Sequence, residues 1–309
     1  MSPGLKIFQP FHTALQDGSG TDTVARVSTI DTPSFERLGP AEPASPVVLS
    51  VPHGGRDYPS ALREALRVPL ASLIPLEDRY VDRLAEAALG AETAFIARRA
   101  RAWIDLNRSE QDRDPRLDDG ASTMTMPFVS TKVKGGLGLV PRRVSGAGEL
   151  WLRRLSGEEV VARIVADHRP YHTALAAALQ SARARFGAAV LLDIHSMPPI
   201  AAPAAARVVI GDRFGRAAGS RFVHRIEGVV RDAGYAVALN APYPGGHILD
   251  RHGAPARGVH AIQVEIDRSS YLDAKLREPG PGFAATARLL RAVIDALADE
   301  IAPTAIAAE

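Results

Sequence analysis

From Val47 onward, short apolar runs alternate with longer stretches of helical period. VVLSV (47–51), TAFIA (93–97), AWIDL (102–106), AVLLDI (189–194), ARVVIG (206–211), YAVAL (235–239) and AIQVEI (261–266) are rich in Val and Ile. Gly, Asp, Asn or Pro bound them, which predicts strands. Several are apolar throughout rather than alternating, the pattern of strands covered on both faces. Between them, residues 59–73, 77–89, 148–186, 213–234 and 282–302 carry apolar positions at helical spacing. The stretch 148–186 predicts two or more helices broken near Pro170. Strands interleaved with helices predict an α/β fold with a mostly parallel or mixed central sheet flanked by helices.

Residues 1–45 are punctuated by proline and glycine and predict an irregular lead-in, which leaves 46–309 as a single domain. At about 150 residues per domain a chain of 309 would divide in two, yet single α/β domains often reach this size. Most of 109–147 is rich in Asp, Gly, Ser and Thr without clear period. A stretch of that length inside a compact domain is often functional.

Composition narrows the class. With 46% hydrophobic and 23% charged residues, the chain is not wholly disordered, collagen-like or a coiled coil. The formal charge of +2 and the pI near 9.0 describe a near-balanced chain whose cations are mostly arginine. Net charge therefore gives no argument for a nucleic-acid or membrane partner. The absence of cysteine excludes disulfides, thiolate metal sites and a cysteine nucleophile. The N-terminus lacks the apolar run of a secretion signal, and no apolar stretch is long enough to span a bilayer, so a cytoplasmic protein is expected.

Three polar motifs coincide with strand ends or interiors. His53 follows a strand in VVLSVPHGG, His195 follows 189–194 in VLLDIHSMPP, and Glu265 lies inside the apolar run of HAIQVEIDRSSY. In open α/β sheets, ligands bind at the carboxyl ends of strands. Taken singly, a histidine after a strand is more often a hydrogen-bonded structural residue, and Asp193 and Ser196 could serve a local turn. Glu265 is harder to explain away. Flanked by Ile262, Val264 and Ile266, a buried carboxylate there must be paired, protonated or catalytic.

Two imidazoles, one carboxylate and an open position make a catalytic zinc shell. PLEDRYVDRL offers Asp78 and Asp82 on one face of a helix, with Glu77 adjacent; the alternative is a helix cap and a face paired with Arg79 and Arg83. Asn107 and Arg108 leave the end of the run 102–106 together, and a guanidinium fork suits a carboxylate. Other basic residues, among them Arg142, Arg143, Arg251, His252 and Arg257, fall in loops. GGHILDRHGAP stands out because its glycines let the backbone approach a ligand closely.

Together these residues resemble the N-formylglutamate amidohydrolase family. VPHGG (51–55), EDRYVDRL (77–84), IDLNR (104–108), HRPYHTAL (168–175), LLDIHSMPP (191–199) and the long segment 240–273 carry the resemblance, in the family's order. It implies a phosphorylase/hydrolase-like fold related to the zinc carboxypeptidases, and one zinc ion per chain held by His53, Asp78 and His195. Glu77 competes with Asp78 for the carboxylate position, and the carboxypeptidases' HxxE spacing is absent because Arg56 stands there. The resemblance further implies Glu265 as the catalytic carboxylate, and Asn107, Arg108, Arg251 and His252 as substrate-binding residues. The implied reaction converts N-formyl-L-glutamate to formate and L-glutamate, a step of histidine degradation. Its partner is thus a small N-acyl amino acid, with neither nucleic acid nor membrane involved. Rival readings are a different zinc amidase or deacylase, such as a cell-wall amidase, and a non-catalytic nucleic-acid binder. A cell-wall amidase would need export and a nucleic-acid binder a basic face; neither is evident along the chain.

Overall fold

A computed structural model describes residues 33–121, 130–201 and 205–301. Its strands are β1 (Phe35–Leu38), β2 (Val47–Val51), β3 (Thr93–Ala97), β4 (Arg143–Val144), β5 (Gly148–Glu149), β6 (Ala189–Met197), β7 (Val208–Gly211), β8 (Val237–Leu239) and β9 (Val259–Asp267). Seven of them form one sheet in the order β1-β3-β2-β6-β9-β7-β8, while β4 and β5 make a separate antiparallel pair. The four central strands β3, β2, β6 and β9 run parallel; β1 and β7 are antiparallel to their neighbours β3 and β9. The sheet is therefore mixed, with a parallel centre.

The helices are α1 (Ser60–Ala65), α2 (Val81–Ala88), α3 (Thr131–Lys134), α4 (Gly157–Arg163), α5 (Arg169–Phe186), α6 (Ser220–Asp232), α7 (His247–His252) and α8 (Phe283–Ile301). Side-chain alternation along the strands assigns the two faces of the sheet. Val47, Leu49, Ile96, Leu192, Ile194, Ile262 and Val264 pack with α2, α6 and α8 on one face. On the other, Val48, Phe95, Leu191 and Ala261 pack with Leu175, Leu179 and Ala182 of α5. Both faces are covered, which explains the continuous apolar runs of the central strands.

Three expectations need correction. Phe35–Leu38, inside the segment read as irregular, is an edge strand paired with β3; residues 1–32 of that segment lie outside the described residues. Residues 102–106 form no strand. Ala102, Ile104 and Leu106 are buried, but Trp103 N–H donates to Ala100 O and Asp105 Oδ1 accepts the Asn107 N–H, so the chain turns. Nor is the helix broken at Pro170. A π-helical turn, Ile164–His168, joins α4 to α5 directly, and Pro170 falls in the first turn of α5, where its missing N–H is tolerated.

Candidate active site

The second face of the sheet changes character along its strands. Toward their carboxyl ends the apolar row gives way to Ser50, Asp193 and Gln263, neighbours in register, and then to His195 and Glu265, also neighbours. Parallel pairing with matched register puts these side chains on one face. β2 has β3 on one side and β6 on the other, so the chain changes direction here, and His53 leaves the end of β2 at that point. The glycines after His53 are steric necessities. A Cβ on Gly55 would stand 2.2 Å from the Arg99 carbonyl oxygen, and one on Gly54 would crowd Asp82.

Asp78 lies just ahead of α2, its N–H donating to the His53 carbonyl. Tyr80 between them has φ 58°, a left-handed conformation strained for a bulky residue, and it turns the chain from Asp78 into the helix. Asp78 is thus not on the helical face that its spacing from Asp82 suggested. Asp82 instead receives both guanidinium arms of Arg56, at 2.8 and 2.6 Å. Glu77 is likewise engaged elsewhere, by Tyr58 and by Arg79. The structure therefore brings Asp78, and not Glu77, to the histidines.

Asp78 Oδ2 sits 2.9 Å from His195 Nδ1 and 3.6 Å from His53 Nδ1. Each imidazole is backed through its other nitrogen: His53 Nε2–H donates to Asp105 (2.7 Å) and His195 Nε2–H to Asp193 (2.9 Å). Asp193 is held in turn by Ser50, whose hydroxyl bonds the Tyr171 phenol. All three residues are at most 3% exposed. His53 Nδ1 is buried with no hydrogen-bond partner. Burial alone would raise Asp78, but the hydrogen bond from His195 and the nearby charge of His53 hold it well below the usual carboxylate range. Burial would lower His195, yet Asp193, Asp78 and Glu265 outweigh it and hold the imidazole well above its ordinary value. The ligand-type atoms of His53, Asp78 and His195 lie within 4.8 Å of one another. Two carboxylate-backed imidazoles and a carboxylate fit a divalent cation.

Glu265 stands beside His195 and accepts from Gln263 Nε2 at 2.9 Å. Burial pushes its carboxyl up to about 7, and nearby Asp78 adds to the effect while His195 opposes it. Cations gather on the other side. Arg101 donates to Asp105 at 2.8 Å and feels the charges of Asp78 and Glu265. Arg108 donates to the carbonyls of Leu137 and Asn107. Burial lowers its guanidinium, Asp105 only partly compensates, and Arg101 repels it. Lys132 of α3 is lowered by partial desolvation and then by Arg108 and Arg101. Arg268 reaches Asp78 Oδ1 at 3.1 Å. Burial, then Glu265, raises the half-buried phenol of Tyr243.

The Asn107 side chain is fixed between α7 and the histidines. Its Oδ1 accepts the Ile248 N–H at 2.9 Å, and its Nδ2 lies 3.3 Å from His195 Nε2. Arg251 and His252 stand apart from this group. His252 is buried against His172, donating from Nε2 to Nδ1 at 2.9 Å, and Arg251 is exposed on α7. His172 and His168 donate from Nε2 to the carbonyls of Leu106 and Arg108, so they hold the backbone that carries Asn107. Burial pushes His247 down to about 4 and His252 down to about 3. Arg101, Lys132, Arg268 and Tyr243 were not anticipated. Arg101 belongs to RRAR, where nothing in the sequence sets one arginine apart, whereas Arg268 and Tyr243 lie inside the long motif 240–273 and could have been singled out there.

Known proteins match this chain along most of its length. The model of the N-formylglutamate amidohydrolase family matches residues 45–272. The chain belongs to this family. It is accordingly an amidohydrolase. An N-formylglutamate deformylase of Pseudomonas putida is 32% identical over 237 residues, 74% of this chain and 82% of that protein. The crystal structure of N-formylglutamate amidohydrolase from Ralstonia eutropha JMP134 superposes with a TM-score of 0.80 at 33% identity, covering 88% of this chain and 100% of that one. A protein of Agrobacterium tumefaciens, 18% identical with a TM-score of 0.61 over 88% of this chain and 97% of its own, shares the fold. Among the described residues of this amidohydrolase, no helix is long and apolar enough to cross a membrane.

Two outcomes follow for the amidohydrolase. A Cβ on Gly246 would meet Asn107 Oδ1 at 2.5 Å. Gly246→Ala should therefore displace the amide and lower kcat/KM by about a hundredfold, the cost of roughly 1 Å of misplacement, with metal content and melting temperature retained; unaltered kinetics would show that Asn107 needs no such seat. The second concerns pH. His252 is held neutral in the fold, so the unfolded chain binds more protons between its ordinary value of about 6.5 and the folded one, and stability is lost as pH falls through that window. Urea midpoints from pH 7 to 4 should fall more steeply for the native chain than for His252→Gln. Parallel curves would contradict a neutral buried imidazole.

Proposed function

We propose that this amidohydrolase cleaves N-formyl-L-glutamate to formate and L-glutamate, using one zinc ion held by His53 Nδ1, Asp78 Oδ2 and His195 Nδ1. The observation that carries the proposal is the convergence of two carboxylate-backed Nδ1 atoms on one buried carboxylate oxygen, with His53 Nδ1 otherwise unpartnered. In a chain without thiolates, an N,N,O donor set is that of a catalytic zinc site. Kinship with the zinc carboxypeptidases is part of the same proposal, and it rests on ligand-type residues at the carboxyl ends of a mixed sheet. The ion, when bound, supplies Lewis acidity, polarising a carbonyl and acidifying water.

The protein's own residues do the rest. Glu265, raised to about 7, takes the proton of the attacking water on a carboxylate oxygen and returns it to the amine nitrogen as the C–N bond breaks. Arg108 is a partly buried cation whose partner Asp105 stands 3.8 Å away and is shared with Arg101 and His53, and its guanidinium suits a substrate carboxylate. Asn107 adds an amide beside it, and Lys132 adds charge for the second carboxylate of glutamate. Arg101, within reach of the fields of Asp78 and Glu265, balances negative charge that develops on the formyl oxygen. Relatives described as N-formylglutamate deformylases support this choice of substrate. Arg251 and His252 enter only indirectly, through the histidines that hold the Asn107 backbone.

Formate release decides the matter. The zinc-loaded protein should hydrolyse N-formyl-L-glutamate with kcat/KM at least about thirtyfold above that for its diamide, since a partly desolvated charged contact is worth roughly 2–5 kcal/mol. Glu265→Gln should retain the metal while kcat drops by about two orders of magnitude. Equal rates on both substrates would remove the carboxylate reading, and an unchanged kcat in Glu265→Gln would remove the general base.

A further inference from the structure

A second group of histidines lies against the backbone of Leu106–Arg108. His168 ends the π-helical turn, His172 follows on α5, and His247 opens α7. Each offers one ring nitrogen, and the three nitrogens lie within 4.8 Å of one another. His168 and His172 are fully buried. Both spend their Nε2–H on a backbone carbonyl, at 2.8 and 3.0 Å, which fixes the tautomer and leaves the Nδ1 lone pair for another partner. A backbone carbonyl on the other nitrogen is how metal-ligating histidines are commonly held. His168 Nδ1 and His247 Nε2 are buried without a hydrogen-bond partner. Glu110 brings a carboxylate oxygen to 3.8 Å from His168 Nδ1. π-helical turns such as the one that carries His168 concentrate at functional sites.

We propose that His168, His172 and His247 form a second site for a divalent cation of the zinc class, separate from that of His53, Asp78 and His195. A set of neutral imidazoles selects Zn2+, Co2+ or Ni2+ over Mg2+ and Ca2+, which prefer oxygen. Metal–nitrogen bonds of about 2.0–2.1 Å require the three nitrogens to close up, and His247, half-buried on a short helix, is the ring with room to move. The lone pair of His172 Nδ1, which now accepts from His252, passes to the metal, and Glu110, itself paired with Arg169, stands next to it. The proposed hydrolysis uses none of these ring nitrogens.

The test is zinc stoichiometry in the full, untagged chain, by equilibrium dialysis against a tenfold excess of ZnCl2 and elemental analysis. The native protein should bind two equivalents, and His247→Gln and His168→Gln one each. His195→Ala should also bind one, and His195→Ala combined with His247→Gln none. The control His224→Gln, an exposed position on α6, should keep two. One equivalent in the native protein that survives His247→Gln and His168→Gln, or two in both of those variants, overturns the second site. A single equivalent lost in those variants but kept in His195→Ala would overturn the first site and leave this one standing. His247 is partly exposed, so its variant tests the site even if His168→Gln fails to fold.

Discussion

The site depends on the burial of Asp78. Taking an ionised carboxylate out of water costs several kcal/mol unless cationic partners and hydrogen bonds compensate it. Here the compensation comes from His195, His53 and Arg268, and the two imidazoles are themselves steadied by Asp193 and Asp105. The result is an interior array of alternating charge in which removing any member leaves another unpaired. Such an array is costly as a stability device, because an apolar core of equal volume would do as well or better. The cation proposed above would give the arrangement its use, since His53, Asp78 and His195 form a group that could hold one.

The fold supplies the fixed points. Parallel pairing of β6 with β9 sets His195 beside Glu265, and pairing of β2 with β6 sets Ser50 beside Asp193. Because one face of each strand is packed against α2, α6 and α8, a slip of one residue would turn the polar row into that apolar layer and put apolar side chains into the site, so the register is strongly specified. Loops bring the remaining groups: His53 ahead of Gly55, where a Cβ would collide with the Arg99 carbonyl, Asp78 through the strained Tyr80, and Asn107 through a turn pinned by Asp105, His168 and His172.

What was legible in the sequence follows the same division. Strand-borne residues were readable because apolar flanks announce burial: Glu265 between Val264 and Ile266, and His195 after Leu192 and Ile194. The α/β class with a mixed sheet was readable from the alternation of the elements. Loop-borne features were not. AWIDL has the composition of a strand, but Asp105 captures the Asn107 N–H and turns the chain, a competition that composition does not reveal. The spacing of Asp78 and Asp82 suggested a shared helical face, whereas the left-handed Tyr80 starts the helix only at Val81. Arg101 and Lys132 acquire meaning only from tertiary proximity to Asp105, Arg108 and Glu265. His252 sits in a motif that suggests ligand contact, yet the fold directs it to His172.

The central claim is that Asp78 and the two imidazoles are a metal seat, and anomalous diffraction from crystals grown with one equivalent of zinc tests it most directly. The account predicts the strongest peak above the zinc edge at a point bonded to His53 Nδ1, Asp78 Oδ2 and His195 Nδ1, at about 2.0–2.2 Å. A fully loaded crystal with no peak there, and with the His195–Asp78 hydrogen bond intact, would contradict it.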